Sequence, residues 1–375
     1  MKDKVFFENL DGLRFLCFLS VFFCHSFHTN YDYISTNPIF IFIKKGLFSN
    51  GNLGVNFFFV LSGFLITFLL IKEVQLRGRI DVVSFWKRRI LRIWPLFYAC
   101  ILFGFFAFPI FKGLFGQQPQ ESANIFYYLT FTNNFDVILN GEPDASVLSV
   151  LWSVAIEEQF YLFWPLILFF IPTTKYWVVF MAIMLTSIVF RANTSGFIVY
   201  EKHTLSVIGD MATGGLGAWL ILHKSAFLNF IENLSKWFIA TLYLLFGIIF
   251  IYRGELIEML GPIYNIFERG SIAFLILFII LEQNYAKNSL FKMKNFKFIS
   301  QYGKLTYGLY CLHMIAILIV TTLTNKLGIN TQLWQVLILE TVAAFVLSIL
   351  IAKISYNYLE MPFLKIKEKF AYITK

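Results

Sequence analysis

The sequence predicts an all-α polytopic membrane protein with about ten transmembrane helices and both termini in the cytoplasm. Three observations carry that prediction. Hydrophobic residues make up 58% of the 375-residue chain and charged residues only 14%, with a mean hydropathy of +0.70. A soluble domain carries roughly 25% charged residues, so this chain lacks the charge to cover a water-facing surface. Apolar stretches approaching the roughly 20 residues that span a bilayer recur along the whole length, and the Lys and Arg residues fall unevenly on the segments joining them.

The apolar segments are 12–29, 54–72, 93–111, 149–171, 176–192, 204–222, 236–252, 269–284, 303–325 and 333–353. With the N-terminus placed inside, the cytoplasmic side receives 23 of the 31 Lys and Arg residues. The positive-inside rule then sets the orientation. An anionic inner leaflet accounts for the net charge of +9 without any nucleic-acid partner. Ionisable groups inside such segments are costly and face a cavity or a partner, so they mark candidate sites.

The first segment reads LDGLRFLCFLSVFFCHS. Arg14 and His25 are eleven residues apart, which brings them within about 20° of one helix face and about 16 Å apart along the axis. An anion-binding arginine below a catalytic histidine fits this seam; a snorkelling arginine and a packing histidine are the plain alternative. His28 lies nearer the exterior, where it is solvated. In the second segment Gly51, Gly54, Ser62 and Gly63 read as packing or backbone access, with Asn56 a polar contact. The third begins with KRRILRIWP. Arg88, Arg89 and Arg92 sit at its cytoplasmic start, and Arg88 and Arg92 share a face at i,i+4. The planar guanidinium binds two phosphate oxygens at once; ordinary cytoplasmic anchoring is the competing role. An external loop at about 113–148 carries the turn signals Gly-Gln-Gln-Pro and Gly-Glu-Pro-Asp.

The fourth segment, LWSVAIEEQFYLFWP, holds Glu157, Glu158 and Gln159 in its outer half. Ser153, Glu157 and Tyr161 line one face at i, i+4, i+8. A carboxylate there needs a protonated histidine, a sugar hydroxyl or a structural cation as partner. The fifth segment is plainly apolar. In the sixth, Asp210 reads as structural, and Gly214, Gly217 and Ala218 permit close helix approach. Residues 224–236 suggest a short amphipathic helix on the cytoplasmic surface. The seventh and eighth segments are apolar. In the ninth, GKLTYGLYCLHM, Thr306, Tyr310 and His313 share a face, with helix packing the alternative reading for His313. After the tenth, residues 354–375 form a cytoplasmic tail to a single membrane-embedded domain, 1–375.

Cys17, Cys24, Cys100 and Cys311 lie in apolar runs without metal spacing and read as buried hydrophobes. No set of residues suggests a metal. The first segment contains Arg14 and lacks an A-x-A site, which argues against a cleaved signal peptide. The absence of an internal repeat weighs against an inverted-repeat transporter.

Five motifs in order resemble the membrane acyltransferase-3 family over Leu10 to about Phe363: LDGLR…H, GxxGVxxFFVLSGFLI, RRxxRIxP, LWSxxxEEQFYLxxP and TYGLYxxH. Each is weak alone; the ordered set is specific. The resemblance implies ten membrane helices, an acyl-CoA donor (usually acetyl-CoA), and an envelope carbohydrate acceptor such as O-antigen, capsule, exopolysaccharide or peptidoglycan, free or lipid-linked. It also implies location in the bacterial cytoplasmic membrane. It makes Arg14 and His25 the leading pair, followed by Arg88, Arg89 and Arg92, then Glu157 and His313. Met361 stands where a basic residue is common, and Asn56 where an acid or Ser is frequent. Longer members carry an extracytoplasmic SGNH hydrolase-like domain after the last helix. This chain is expected to be the stand-alone form, delivering the acyl group itself or to a separate partner.

On this reading Arg88, Arg89, Arg92 and Arg14 hold the phosphates of acetyl-CoA. His25 takes the acceptor's proton, and Glu157 orients it, binds the acceptor or holds the imidazolium. Ser153, Glu158, Tyr161, Tyr310 and His313 complete a substrate site. Direct transfer and a covalent acyl-enzyme both remain open, as does the oligomeric state. The rival readings are a transporter or flippase of lipid-linked sugar, an assembly subunit of an envelope complex, and an acyltransferase acting on a small molecule or a lipid.

Overall fold

A computed structural model describes residues 7–370 apart from 115, 117 and 119. The Gly-Gln-Gln-Pro turn, residues 1–6 and the last five residues of the tail therefore lie wholly or partly outside the described residues. Every described regular element is a helix. The main ones are α1 (Glu8–Cys24), α2 (Leu53–Arg77), α3 (Val82–Leu102), α4 (Leu151–Phe169), α5 (Tyr176–Ala192), α6 (Thr204–His223), α7 (Ser225–Glu232), α8 (Lys236–Tyr285), α9 (Thr306–Leu327), α10 (Thr341–Ser355) and α11 (Met361–Lys367).

Seven stretches of the described chain are helical, long and apolar enough to cross a membrane, and the protein is a multi-pass membrane protein. The difference from the ten predicted segments has physical causes. Segments 12–29 and 149–171 are helical, as α1 and α4, but α1 has only 17 residues and α4 carries Glu157 and Glu158. Segments 236–252 and 269–284 both fall in the 50-residue α8. That helix departs from helical geometry at Tyr252 and at Gly261, where φ is +75° just before Pro262. Glycine tolerates that left-handed φ, and the proline removes a backbone donor.

Small residues set the tightest packing. A Cβ added at Gly63 would lie 2.0 Å from the carbonyl oxygen of Met211, and one at Gly214 would lie 1.9 Å from that of Val60. The backbones of α2 and α6 thus touch, as small residues allow within membranes. Gly214→Ala must separate them, since the clashing atom is backbone. A loss of about 1–3 kcal/mol is expected, as for overpacking elsewhere, read as a lowered Tm in detergent.

Charges buried among α5, α6 and α8 form one closed network. Arg253 donates to Glu268 (2.5 Å) and Glu201 (2.6 Å), and Arg269 donates to Asp210 (2.7 and 3.0 Å). Arg191 lies 3.8 Å from Glu268 and donates to the carbonyls of Tyr200, Asn265 and Ile266. All six groups are buried. Three cations answer three anions, which is how such charges persist away from water. Asp210 is thus a structural partner of Arg269.

The amphipathic helix expected at 224–236 is α7, tied to the chain beyond α8 by a Lys287–Glu232 ion pair of 2.7 Å. In the 113–148 loop, Asp144 accepts from Lys112 (2.6 and 2.7 Å) and from the Gln120 N–H (3.0 Å). Burial pushes the Asp144 carboxyl up, and these donors outweigh it, leaving the carboxyl below its ordinary value. The four cysteines are free thiols.

Candidate active site

One face of α2 is the floor of a cavity of about 650 Å³. Val55, Phe58, Phe59, Ser62, Leu65, Ile66, Leu69 and Glu73 recur on it at helical spacing. From Val55 to Glu73 the floor runs about 27 Å at the rise of an α-helix. The walls are α1, α3, α4 and α9, with Lys367 and Glu368 at the arginine end.

That end holds Arg88, beside Glu73, and all four arginines singled out from the sequence, Arg14, Arg88, Arg89 and Arg92, line the cavity. Two already have carboxylate partners. Arg14 donates to Asp11, one turn earlier on α1, at 2.6 Å. Arg88 reaches Glu73 at 3.3 Å and the carbonyl of Phe370 at 2.8 Å. Arg89 and Arg92 form no ion pair or hydrogen bond with any described residue. Arg89 lies over the rings of Phe85 and Tyr161, 5.4 and 5.3 Å from their centroids, and its Nε is buried without a hydrogen-bond partner. Buried donors are rarely left unmatched. A guanidinium held on two aromatic faces, its N–H groups unanswered, is prepared for an incoming anion.

Midway along the cavity, Glu157 accepts from Ser62 Oγ (2.8 Å) and from the Tyr161 hydroxyl (3.0 Å), with Arg89 and Arg92 in electrostatic range. At the far end, Ser153 Oγ and the Tyr310 hydroxyl lie 2.7 Å apart. The face predicted from i, i+4, i+8 spacing on α4 is thus the face presented to the cavity.

Three expectations are corrected. Glu158 does not line the cavity. Adjacent residues on a helix are 100° apart, so it turns away and accepts from Trp94 Nε1 at 2.8 Å. Glu157 is not bonded to His25: its oxygens accept from Ser62 and Tyr161, and the His25 ring meets His313. His25 is also not deep within a helix, since α1 ends at Cys24.

The partner of His25 is His313, on α9: His25 Nδ1 and His313 Nε2 are 3.0 Å apart. Thr306 and Tyr310 face the cavity; His313 does not line it. It is fully buried, with its Nδ1 2.8 Å from the Tyr310 carbonyl and 3.2 Å from that of Leu309. A Cβ on Gly51 would meet the Ser20 carbonyl and Cys24 Cβ. The end of α1 therefore packs where the chain enters α2, and His25 stands about one helical turn beyond Val55 and the Ser153–Tyr310 pair.

Sequence reasoning missed Ser62, Glu73 and Asp11 as partners of functional groups. The i,i+3 spacing of Asp11 and Arg14 was an available signal; the cross-helix pairs had none.

Fold and site together define a multi-pass membrane protein with a long cavity, cationic at one end and hydroxyl-lined at the other. The acyltransferase domain family Acyl_transf_3 matches residues 7–356, and the chain belongs to that family. It is 27% identical over 398 residues to the peptidoglycan O-acetyltransferase OatA of Listeria monocytogenes, covering 97% of this chain and 56% of the relative. It is 25% identical over 396 residues to the putative peptidoglycan O-acetyltransferase YrhL of Bacillus subtilis, covering 95% and 55%. Against the O-acetyltransferase OatA of Staphylococcus aureus it is 34% identical over 178 residues, covering 46% and 26%. The chain thus spans between about a quarter and about half the length of these relatives. No solved structure matches it.

Proposed function

We propose that the protein transfers an acetyl group from acetyl-CoA, bound from the cytoplasm, to a hydroxyl of an envelope carbohydrate at a bacterial cytoplasmic membrane. One observation carries the reading. A cavity with a floor about 27 Å long is lined both by two arginines that ion-pair with no described residue and by a hydroxyl pair about one helical turn from the His25–His313 dyad. Family membership and the names of the relatives support acetylation of a wall or surface carbohydrate.

Arg89 and Arg92 hold the nucleotide phosphates, with Arg88 and Arg14 adjusting the field around them. The thin pantetheine arm follows the apolar face of α2 past Leu69, Ile66 and Phe59. The thioester then lies toward Ser153 and Tyr310, whose hydroxyls can donate to the oxyanion that forms. His25 takes the proton of the acceptor hydroxyl as its oxygen bonds to the thioester carbon. The C–S bond breaks, and the leaving thiolate takes the proton from the His25 imidazolium, which returns His25 to its neutral form. Glu157 keeps Ser62, Tyr161 and the two arginines in place. CoA itself never needs to cross the membrane.

The test in cells is deletion of the gene followed by analysis of base-labile acetyl esters on peptidoglycan, capsule and lipopolysaccharide. Loss from one polymer, restored by the wild-type gene, supports the reading and names the acceptor. Unchanged esters on every polymer refute it.

A further inference from the structure

We infer that His313 is a positioning residue that fixes the tautomer of His25, leaving His25 Nε2 as the open lone pair that accepts the proton. This rests on the acyl-transfer reading above for its role, but its structural basis is independent. A backbone carbonyl can only accept a hydrogen bond, so His313 Nδ1, at 2.8 Å from the Tyr310 carbonyl and 3.2 Å from that of Leu309, carries a hydrogen. A neutral imidazole has one N–H and one lone pair. His313 is fully buried and no described carboxylate bonds to it, so an imidazolium there would be an unpaired charge at high cost. The lone pair of His313 is therefore on Nε2. The 3.0 Å contact between His313 Nε2 and His25 Nδ1 needs one hydrogen, and only His25 can supply it.

His25 is then protonated at Nδ1 and bare at Nε2. No described residue bonds to that Nε2, and the ring is only half-buried. The imidazole is anchored through Nδ1–H, which points at His313, while the backbone of His25 is held by its carbonyl, which accepts from His28 Nε2 at 2.7 Å. Phe18 and Phe22 pack against the His313 ring, 5.8 and 6.3 Å between centroids, which holds the acceptor still. When Nε2 gains a proton, the bond from Nδ1–H to His313 becomes charge-assisted and shortens. A chain from the Tyr310 carbonyl through His313 to His25 thus does the orienting that a carboxylate does in other acyl-transfer enzymes. The same residue, Tyr310, offers its hydroxyl to the cavity.

Two readouts test this. In protein labelled with ¹⁵N-histidine, held in detergent, the His25 signals assigned by loss in His25→Gln should show Nδ1 protonated and Nε2 bare. In His313→Leu that preference should disappear. In acyl transfer from acetyl-CoA, His313→Leu should lose about a hundredfold or more, within the range of a positioned base, with acetyl-CoA binding unchanged. His313→Gln, whose amide oxygen can take the place of the Nε2 acceptor, should recover most of that loss. A wild-type spectrum with His25 Nδ1 bare, or equal rates for the Leu and Gln variants, overturns the inference. Absence of acetyl-CoA turnover in the wild type sinks the acyl-transfer reading instead, and leaves the tautomer result standing.

Discussion

His25→Ala is expected to lower acyl transfer by about 10²–10⁴-fold, the usual worth of a positioned general base, while acetyl-CoA affinity stays within a fewfold. The split follows from where the groups lie. His25 stands at the end of α1, outside the residues that line the cavity, with its ring bonded to His313 and its backbone carbonyl to His28. The guanidiniums of Arg89 and Arg92, which ion-pair with no described residue, line the cavity in electrostatic range of Glu157. Removing the imidazole takes away a proton acceptor but no donor contact. The check is equilibrium binding of acetyl-CoA beside single-turnover transfer in the same preparation. A parallel loss of binding would mean that His25 shapes the cavity and has no part in the chemistry.

Arg89→Gln and Arg92→Gln are each expected to weaken acetyl-CoA binding roughly tenfold to a hundredfold. Hydrogen bonds to charged groups contribute about 1.5–3 kcal/mol, and each 1.4 kcal/mol is a factor of ten. Neither change breaks an ion pair with a described residue, but each removes a cation in electrostatic range of the Glu157 carboxylate, so a Tm is read beside the affinity. Arg89→Lys should recover only part of the affinity, since a point charge replaces a planar fork lying between Phe85 and Tyr161. Arg14→Gln behaves differently. It removes the 2.6 Å ion pair to the buried Asp11, so part of its effect falls on stability. Titration of each variant with acetyl-CoA at two salt concentrations separates these cases. Affinities that do not depend on either arginine would place the nucleotide elsewhere.

Much of the fold was legible because lipid simplifies the code. Each of the ten apolar segments is largely helical in the structure, the first only as far as Cys24. What segment length could not decide was where a helix with interior carboxylates, such as α4, stands against a length rule. Nor could it show that α8 continues through a bend at Gly261. For the site, intrahelical spacing worked well: Ser153, Glu157 and Tyr161 share a face, and Arg14, Arg88, Arg89 and Arg92 share a cavity. Pairing between helices was where the reading failed. Nothing in one sequence says that α9 meets the end of α1, so His313 was read as a substrate contact when it is the partner of His25. For the same reason the sequence left Glu157 three roles, to orient His25, to bind the acceptor or to hold the imidazolium, and gave no sign of its bonds to Ser62 and Tyr161. The network of Arg191, Arg253 and Arg269 with Glu201, Asp210 and Glu268 was invisible apart from Asp210. Its members are spread over 79 residues of chain and meet only on folding.

The central claim is that acetyl-CoA occupies the α2 cavity and is consumed there. The direct measurement is acetyl-CoA binding and CoA release by the purified protein in detergent, with envelope carbohydrate as acceptor, for wild type, His25→Ala and Arg92→Gln. The predicted pattern is binding and turnover in the wild type, binding without turnover in His25→Ala, and weak binding in Arg92→Gln. A wild-type protein that is folded yet neither binds nor consumes acetyl-CoA, with carbohydrate present, would contradict the account.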